Sequence, residues 1–298
     1  MLKTGSIFAD RYKILAEVGR GSQSVVYLAL DMVTGKNWAL KEVLKEKPNK
    51  QDWGSHLTFS LIAKGKKLLE LEHANLPRIV DVTETEDRFF IVKEYIQGET
   101  LKQILETRGP LDQETVKKCA LQLCDVMAYL HCQTPPVFCT YFKPGNLMLT
   151  PEGNMILVDF ETGRRWTEKW DGDAHPLGSD DCQFESLEEM FLEVFGHLDA
   201  RTSVFHIGEI IYRLLTGYSE RFRGSLSQDD PALAGSDWEC IIERCCQLNP
   251  DDRYQSCEEL RNDLENGVGR VKLFFYKWAY KRRHIRAKKT HTARKKHP

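Results

Sequence analysis

Three features are missing from this 298-residue sequence. No apolar run approaches the roughly 20 residues that a membrane-spanning helix needs. The first residues, MLKTGSIFADRY, contain neither an apolar core segment nor a cleavage signature, so no signal peptide is expected. The nine cysteines form no C-x-x-C pair and no zinc spacing. These absences predict a reduced, cytoplasmic protein.

Acidic residues are missing from one end of the chain. Residues 266–298 hold twelve Lys or Arg and no Asp or Glu. The rest of the chain therefore keeps 30 of the 42 basic residues against all 44 acidic ones, a net charge of −14. An acidic body with a basic tail predicts two parts with separate roles.

The first third of the chain predicts an antiparallel sheet with one helix. Runs rich in β-branched and aromatic residues predict strands over residues 12–18, 24–30, 38–44, 79–84 and 88–95. A helix is expected over 56–72. From residue 100 onwards the pattern is mainly helical. Helices are predicted over 100–109, 113–131, 203–216, 237–248 and 256–265, with a small hairpin over 147–158. Ser256 and Glu259 have the spacing of a capping box.

A glycine-rich turn joins the first two strands. Gly19 and Gly21 lie in GRGSQSVV, and a strand follows them where a dinucleotide-binding motif would require a helix. The turn is therefore either a simple hairpin turn or one that places backbone N–H groups over nucleotide phosphates. On the next strand, Ala39 and Lys41 are two residues apart and share a face. A small side chain beside an ammonium suits an adenine ring and a phosphate.

Five motifs now follow one another in order. After the glycine turn and WALK come KEYI at 93–96, CTYFKPGN at 139–146 and LVDFET at 157–162. In order and spacing, residues 7–265 resemble the protein kinases, in particular the bacterial eukaryotic-like Ser/Thr type. The resemblance implies an α+β, two-lobed fold. It has a small antiparallel β-rich N-lobe with one main helix over 1–97, a larger α-helical C-lobe over 98–268 and a tail over 269–298.

The resemblance also implies an ATP site with Mg²⁺. Gly19 and Gly21 would cover the phosphates, and Lys41 would hold two of them. The backbone of Glu94 and Ile96 would bond adenine. The side chains that would enclose the adenine ring are Val26, Ala39, Lys93 and Met148. Asn146 and Asp159 would bind the metal. Lys143 would steady the transferred phosphate.

Two departures from the family pattern concern catalysis. Tyr141 stands where the family has the Asp that accepts the substrate proton, and Thr140 replaces an Arg that neutralises an activation-loop phosphate. A phenol has a reference pKa near ~10 and is a poor base at neutral pH. The glutamate that pairs with the strand lysine falls at Lys64, and residues 53–69 contain no acid. These changes argue against efficient phosphoryl transfer.

Further departures concern the residues around the site. Glu161 replaces the glycine that lets the metal motif turn freely. Lys93 replaces an apolar side chain, so it needs a partner, either Asp159 or Glu161, or it extends outward to solvent. Lys93 substituting for Lys41 is another alternative. Ser203 stands in place of an anchoring Asp. Arg253 has two candidate partners, Glu185 and Glu188.

The tail over residues 271–298 interleaves five aromatic residues with cations. One interpretation is a last packed helix followed by a solvated disordered run. A second is adsorption to an anionic membrane, which would place the protein peripherally at the inner membrane surface. Nucleic-acid binding through backbone phosphates is a weaker alternative, and docking on the protein's own acidic body is a further one.

Three functions compete. The first is a pseudokinase that binds ATP and acts on an unidentified protein partner in regulation or signalling. The second is an active non-standard serine/threonine kinase, because positioning and electrostatics supply most of phosphoryl-transfer catalysis. The third is a membrane- or partner-binding module whose nucleotide site is filled by Lys93 or Glu161. The sequence favours the first.

Overall fold

The computed structural model describes residues 1–21, 24–45, 68–134, 136–137, 143–160, 199–217, 233, 236–247 and 249–269. The chain divides into two compact units. The first lies within residues 1–107 and 132–169, and the second lies within 108–131 and 170–298.

A six-stranded antiparallel sheet forms most of the first unit. Its strands are β1 (Ile7–Phe8), β2 (Tyr12–Arg20), β3 (Ser24–Asp31), β4 (Asn37–Leu44), β5 (Ile79–Glu84) and β6 (Arg88–Glu94). Their order in the sheet is β1-β2-β3-β4-β6-β5. The predicted strands are confirmed to within about two residues at each end. The helix expected over 56–72 lies mostly outside the described residues.

The sheet has a core face that the sequence pattern explains. Along β3 every second residue from Val25 to Asp31 is buried, as strand geometry requires when one face packs against apolar neighbours. The buried side chains of this core face form one cluster: Tyr12, Ile14, Val25, Tyr27, Ala29, Leu40, Phe90 and Val92. The intervening residues of β3 and β4 point to the opposite face.

A second, three-stranded sheet lies in the same unit. It pairs β7 (Glu99–Thr100), β8 (Leu147–Leu149) and β9 (Met155–Leu157) in that order. The hairpin expected over 147–158 is thus confirmed. A Cβ atom at Gly98 would lie 2.5 Å from the carbonyl oxygen of Leu149, so only glycine permits this close approach of the two chain segments. Helix α1 (Leu101–Arg108) follows β7.

Helices form the second unit. They are α2 (Gln113–His131), α3 (Ala200–Thr216), α4 (Asp237–Cys245) and α5 (Cys257–Asn266). Helix α2 packs against α3 and α5, and α3 packs against α4. Helix α2 has the predicted bounds, and its buried face includes Val116, Leu123 and Met127. The helical spacing of apolar residues in the sequence is therefore enough to predict the bounds and the buried face of α2.

Capping residues set the ends of the helices. The Ser256 side chain accepts a hydrogen bond from the Glu259 N–H at 3.2 Å, which confirms the predicted N-cap of α5. Helix α3 begins three residues before the predicted start, because the Asp199 side chain accepts from the Arg201 N–H at 2.8 Å. It ends where Gly217 takes a left-handed conformation with φ of 73°.

The cysteines that the structure describes are thiols rather than disulfides, and most are buried. Burial raises the pKa of Cys119 and of Cys257 to about 12. These thiols therefore stay protonated at neutral pH and pack as small hydrophobic side chains. Cys139 and Cys182 lie outside the described residues. In the part of the chain that the structure describes, no helix has the length and apolarity to cross a bilayer.

Candidate nucleotide-binding site

The face of the six-stranded sheet opposite the core carries four of the predicted site residues. Val26 lies directly across from Lys41 on neighbouring strands, and Ala39 lies directly across from Lys93. Cross-strand partners point to the same side, and residues two apart on a strand do so as well. Val26, Ala39, Lys41 and Lys93 therefore share one surface, which we call the site face.

The glycine-rich turn lies at the end of this sheet. Gly19 pairs across the ladder with Val26. The N–H of Gly21 donates to the carbonyl of Ser24 at 2.8 Å, which closes the turn between β2 and β3. Residues 22–23 lie outside the described residues. The hairpin is thus formed as predicted, and its role in covering phosphates stays a prediction.

Lys41 projects from the centre of the sheet and is buried, with 2% of its side chain exposed. Its ammonium contacts the carboxylate of Asp159, whose side chain is 28% exposed. A carboxylate is therefore within hydrogen-bonding reach of this lysine, although it is not the helix glutamate of the family pattern. Two residues implied to bind phosphate and metal thus meet in one contact.

Lys93 at the end of β6 is also buried, with 5% exposed. Its ammonium donates to the main-chain carbonyl of Val158. The alternative in which Lys93 extends outward to solvent is therefore wrong, because the side chain turns into the protein to reach that carbonyl. Asp159 contacts Lys41, and Glu161, the other expected carboxylate partner of Lys93, lies outside the described residues.

Asn146 and Asp159, the predicted metal ligands, lie on neighbouring segments. Asn146 ends a 3-10 turn (Pro144–Asn146), and its carbonyl accepts a hydrogen bond from the Val158 N–H at 2.9 Å. Val158 immediately precedes Asp159. A carboxylate and an amide are hard oxygen donors, which Mg²⁺ prefers, so this pair fits the metal. Lys143, just before the turn, is exposed.

The predicted hinge follows β6. The N–H of Glu94 donates to the carbonyl of Arg78 at 2.8 Å, which holds the end of β6 against the segment before β5. Ile96 is half-buried two residues later. Met148 in β8 is half-buried and pairs with Ile156 of β9. The structure places these residues in the same unit as Lys41 and Asp159, and their adenine contacts stay predictions.

Asn75, which no sequence motif indicated, joins the segment before β5 to β9. It is buried; its side-chain amide donates to the Met155 carbonyl at 2.7 Å, and its own carbonyl accepts from the Leu157 N–H at 2.9 Å. These bonds tie the segment before β5 to β9, two residues before Asp159. The signal that could have identified it is an amide side chain between the apolar residues of HANLP, because a buried amide needs partners.

Several predicted features fall outside the described residues. They are Tyr141 and Thr140 in the catalytic loop, Lys64 in the expected helix, Glu161 after the metal motif, and the tail over 271–298. The interpretations of these residues stay predictions.

Comparison with known protein families identifies the family of this chain. A model of the protein kinase domain matches residues 12–264, which is most of the chain. The chain belongs to the protein kinase family. Members of this family use ATP and Mg²⁺ in general.

Relatives of this kinase-family chain include bacterial Ser/Thr kinases. A probable serine/threonine-protein kinase of Clostridium acetobutylicum is 25% identical over 287 residues, which cover 88% of this chain and 40% of the relative. The serine/threonine-protein kinase PknB of Mycobacterium tuberculosis is 25% identical over 285 residues, with coverage of 88% and 44%. The chain thus spans less than half the length of these curated relatives.

A solved structure shows the fold. The kinase domain of M. tuberculosis PknI has a TM-score of 0.67 to this chain at 18% identity, with coverage of 90% of this chain and 100% of that one. The predicted two-lobed kinase fold, with an antiparallel β-rich lobe and a helical lobe, is confirmed. The lobe boundary at residue 97 stays a prediction.

Ser203, which the resemblance places at the position of an anchoring Asp, lies in α3 of the helical unit. It is buried, and its hydroxyl lies 3.0 Å from Nε2 of His131. Burial lowers the pKa of His131, which favours the neutral ring. The contact joins α2 to α3, so within the second unit Ser203 links two helices.

Arg253 lies in the same unit and is buried. Its Nε donates to the Gln247 carbonyl at 2.8 Å and a terminal nitrogen donates to the Arg201 carbonyl at 3.1 Å, while the guanidinium lies 4.8 Å from the centre of the Phe205 ring. Its candidate carboxylate partners, Glu185 and Glu188, lie outside the described residues.

Proposed function

We propose that this chain binds ATP with Mg²⁺ and acts in regulation or signalling, with little or no phosphoryl transfer. The contact between Lys41 and Asp159 carries the proposal. It brings the residue implied to hold the phosphates against a residue implied to hold the metal, although the two are 118 positions apart. A cation for phosphate and a carboxylate for the metal, placed side by side, are what an ATP·Mg²⁺ site requires.

The site face supplies the surfaces that a nucleotide needs. Val26 and Ala39 offer small apolar contacts beside Lys41, and Met148 offers another from β8. The backbone at the end of β6 and just beyond it, at Glu94 and Ile96, offers hydrogen-bonding groups for adenine. The ammonium of Lys41 would hold phosphate oxygens by charge-assisted hydrogen bonds.

Asn146 and Asp159 would hold Mg²⁺. The Val158–Asn146 main-chain bond keeps these two residues on adjoining segments before any ion binds. When bound, the ion supplies positive charge that offsets the phosphate charges of ATP. Asp159 would exchange its contact with Lys41 for the ion, and Lys41 would then face the phosphates.

The same chain is poorly equipped for transfer. Tyr141 is a weak base at neutral pH, because a phenol loses its proton only near pH ~10. Lys64 would repel Lys41 where the family has an attracting glutamate. Positioning alone sustains some phosphoryl transfer, so loss of the base by itself is a weaker argument than loss of both groups.

A thermal-shift titration tests nucleotide binding. ATP should raise the unfolding midpoint of the intact protein, and more so with Mg²⁺, because a ligand that binds only the folded state stabilises it. Lys41→Met and Asp159→Asn should abolish most of the rise. Lys13→Met is the matched control, since Lys13 is exposed on β2 of the same sheet. No shift at millimolar ATP in the unmodified protein would leave only the binding-module alternative.

A transfer assay with γ-labelled ATP tests the second half of the proposal. We expect no label on the chain itself or on a general acceptor protein above the level of Asp159→Asn. Transfer by the unmodified protein that disappears in Asp159→Asn would replace the pseudokinase proposal with an active, non-standard kinase.

A further inference from the structure

The buried Lys93 links the hinge strand to the metal motif. We propose that Lys93 is a positioning residue: its hydrogen bond to the Val158 carbonyl holds the main chain before Asp159 and thereby sets where that carboxylate is presented. The prediction for Mg²⁺-dependent nucleotide binding rests on the proposed function. The effect of Lys93 on the main chain at Val158 does not depend on it.

The Val158 peptide groups are held from two sides. The Val158 N–H donates to the Asn146 carbonyl at 2.9 Å, and the Val158 carbonyl accepts from the Lys93 ammonium. A residue whose two main-chain polar groups are both bonded has little freedom to rotate. Asp159 follows directly, so the direction of its backbone is set by these two bonds.

The sheet is a firm base for this link. Lys93 lies on β6, which pairs with β4 on one side and β5 on the other. Lys41 extends from β4 to Asp159, and Lys93 extends from β6 to Val158. Two cations from adjacent strands thus contact two consecutive residues. Movement of the metal motif away from the sheet would have to break both contacts.

Burial makes a lysine costly at this position. An ammonium removed from water is stable only when charged or polar partners replace the lost hydration. A hydrogen bond from a charged donor is also stronger than one between neutral groups. An apolar side chain of similar length, such as methionine, would fill the same space at lower cost, but it would leave the Val158 carbonyl without this donor.

Amide hydrogen exchange measured by NMR on the intact protein tests the link. In Lys93→Met, exchange of the Val158 N–H should become faster by ~tenfold, because loss of the bond to the Val158 carbonyl weakens the hold on the peptide groups whose N–H donates to Asn146. Exchange at Leu40 and Val92, in the sheet centre, should not change. Lys93→Arg keeps cationic donors and should stay closer to the unmodified protein. Lys13→Met, an exposed lysine of the same sheet, should have no effect.

Nucleotide binding supplies the second measurement. In Lys93→Met the gain in ATP affinity that Mg²⁺ provides, measured as the ratio of affinities with and without the metal, should fall by ~tenfold, because the metal ligand Asp159 loses the support of its preceding residue. One outcome separates the two proposals: neither the unmodified protein nor any variant binds ATP, but exchange at Val158 becomes faster in Lys93→Met alone. This outcome supports the link between Lys93 and Val158 and contradicts the proposed function.

Three results would overturn the link. One is a folded Lys93→Met with unchanged exchange at Val158. Another is Lys93→Arg with exchange as fast as Lys93→Met, which would make side-chain packing the cause. If Lys93→Met does not fold, NMR of lysine ammonium groups in the unmodified protein decides: a bonded Lys93 ammonium should exchange its protons much more slowly than Lys13, and equal rates would contradict the bond.

Discussion

The two faces of the six-stranded sheet are built from alternate residues of the same strands. They differ in the chemistry of their buried side chains and in how far along the chain the contacting residues lie. The core face buries apolar side chains such as Leu40 and Val25 against other residues of the same sheet. The site face buries Lys41 and Lys93, whose described partners lie at Asp159 and Val158, far along the chain.

The difference separates stability from binding. Apolar burial on the core face lowers the free energy of the folded state directly. Buried cations on the site face contribute little net stability, because desolvation offsets much of their attraction for partners. Neighbouring residues of one strand should therefore have separable effects on unfolding and on nucleotide binding.

Leu40 and Lys41 give the largest expected contrast. Leu40→Ala should lower the free energy of unfolding by about 2–5 kcal/mol, because it leaves a cavity in the core cluster. It should leave nucleotide affinity in the folded protein nearly unchanged. Lys41→Met should weaken ATP·Mg²⁺ binding at least ~tenfold, and it should cost less stability than Leu40→Ala, because the Asp159 carboxylate that it leaves behind is partly exposed to water.

Urea unfolding and ATP titration of both variants check this contrast. The separation of the two faces would be lost if Lys41→Met unfolded as readily as Leu40→Ala.

Val25 and Val26 give a smaller contrast with the same side chain. Val25 is 4% exposed on the core face, and Val26 is half-buried on the site face. Val25→Ala should lower the free energy of unfolding by about 1–2 kcal/mol. Val26→Ala should cost less stability and should weaken ATP binding by only about threefold, since it removes part of one apolar contact.

Each valine variant is the control for the other, measured by urea unfolding and ATP titration. Equal losses of stability in both would mean that the sheet is buried alike on its two sides.

The smallest contrast concerns the ion pairs of the two faces. On the core face, Arg11 donates to the buried Asp31 carboxylate at 2.8 and 3.0 Å. Hydrogen bonds from Arg11, and further ones from Thr34 and the Val33 N–H, hold the pKa of Asp31 well below its ordinary value. The ionised form is therefore favoured by folding, so its contribution is present above about pH 4 and is lost as the pH falls further.

Asp31→Asn should lower the unfolding midpoint modestly near neutral pH, and the difference from the unmodified protein should shrink below about pH 4. Melting curves over the acid range measure this. ATP binding at neutral pH should be unaffected, in contrast to Asp159→Asn. A difference that stays constant with pH would show that Asp31 is not ionised in the way we infer.

Much of the fold could be predicted because its signals are local. The strands of the first unit and helix α2 follow from alternation and helical periodicity, and Ser256 identifies the start of α5. The start of α3 was missed, because Asp199 was not recognised as its cap. Asn75 was missed for another reason: its bonds to Met155 and Leu157 span about 80 positions, and no spacing rule predicts them.

The sequence by itself determined the family and the strands that carry Lys41 and Lys93, because motif order and side-chain alternation are properties of the chain. Only the tertiary structure decided what the two buried lysines contact. Lys41 meets Asp159, and Lys93 turns inward to a main-chain carbonyl. The reason is physical. A hydrogen bond between distant segments depends on distance and direction in space. Every residue has a main-chain carbonyl, so residue type does not show which carbonyl accepts a given hydrogen bond.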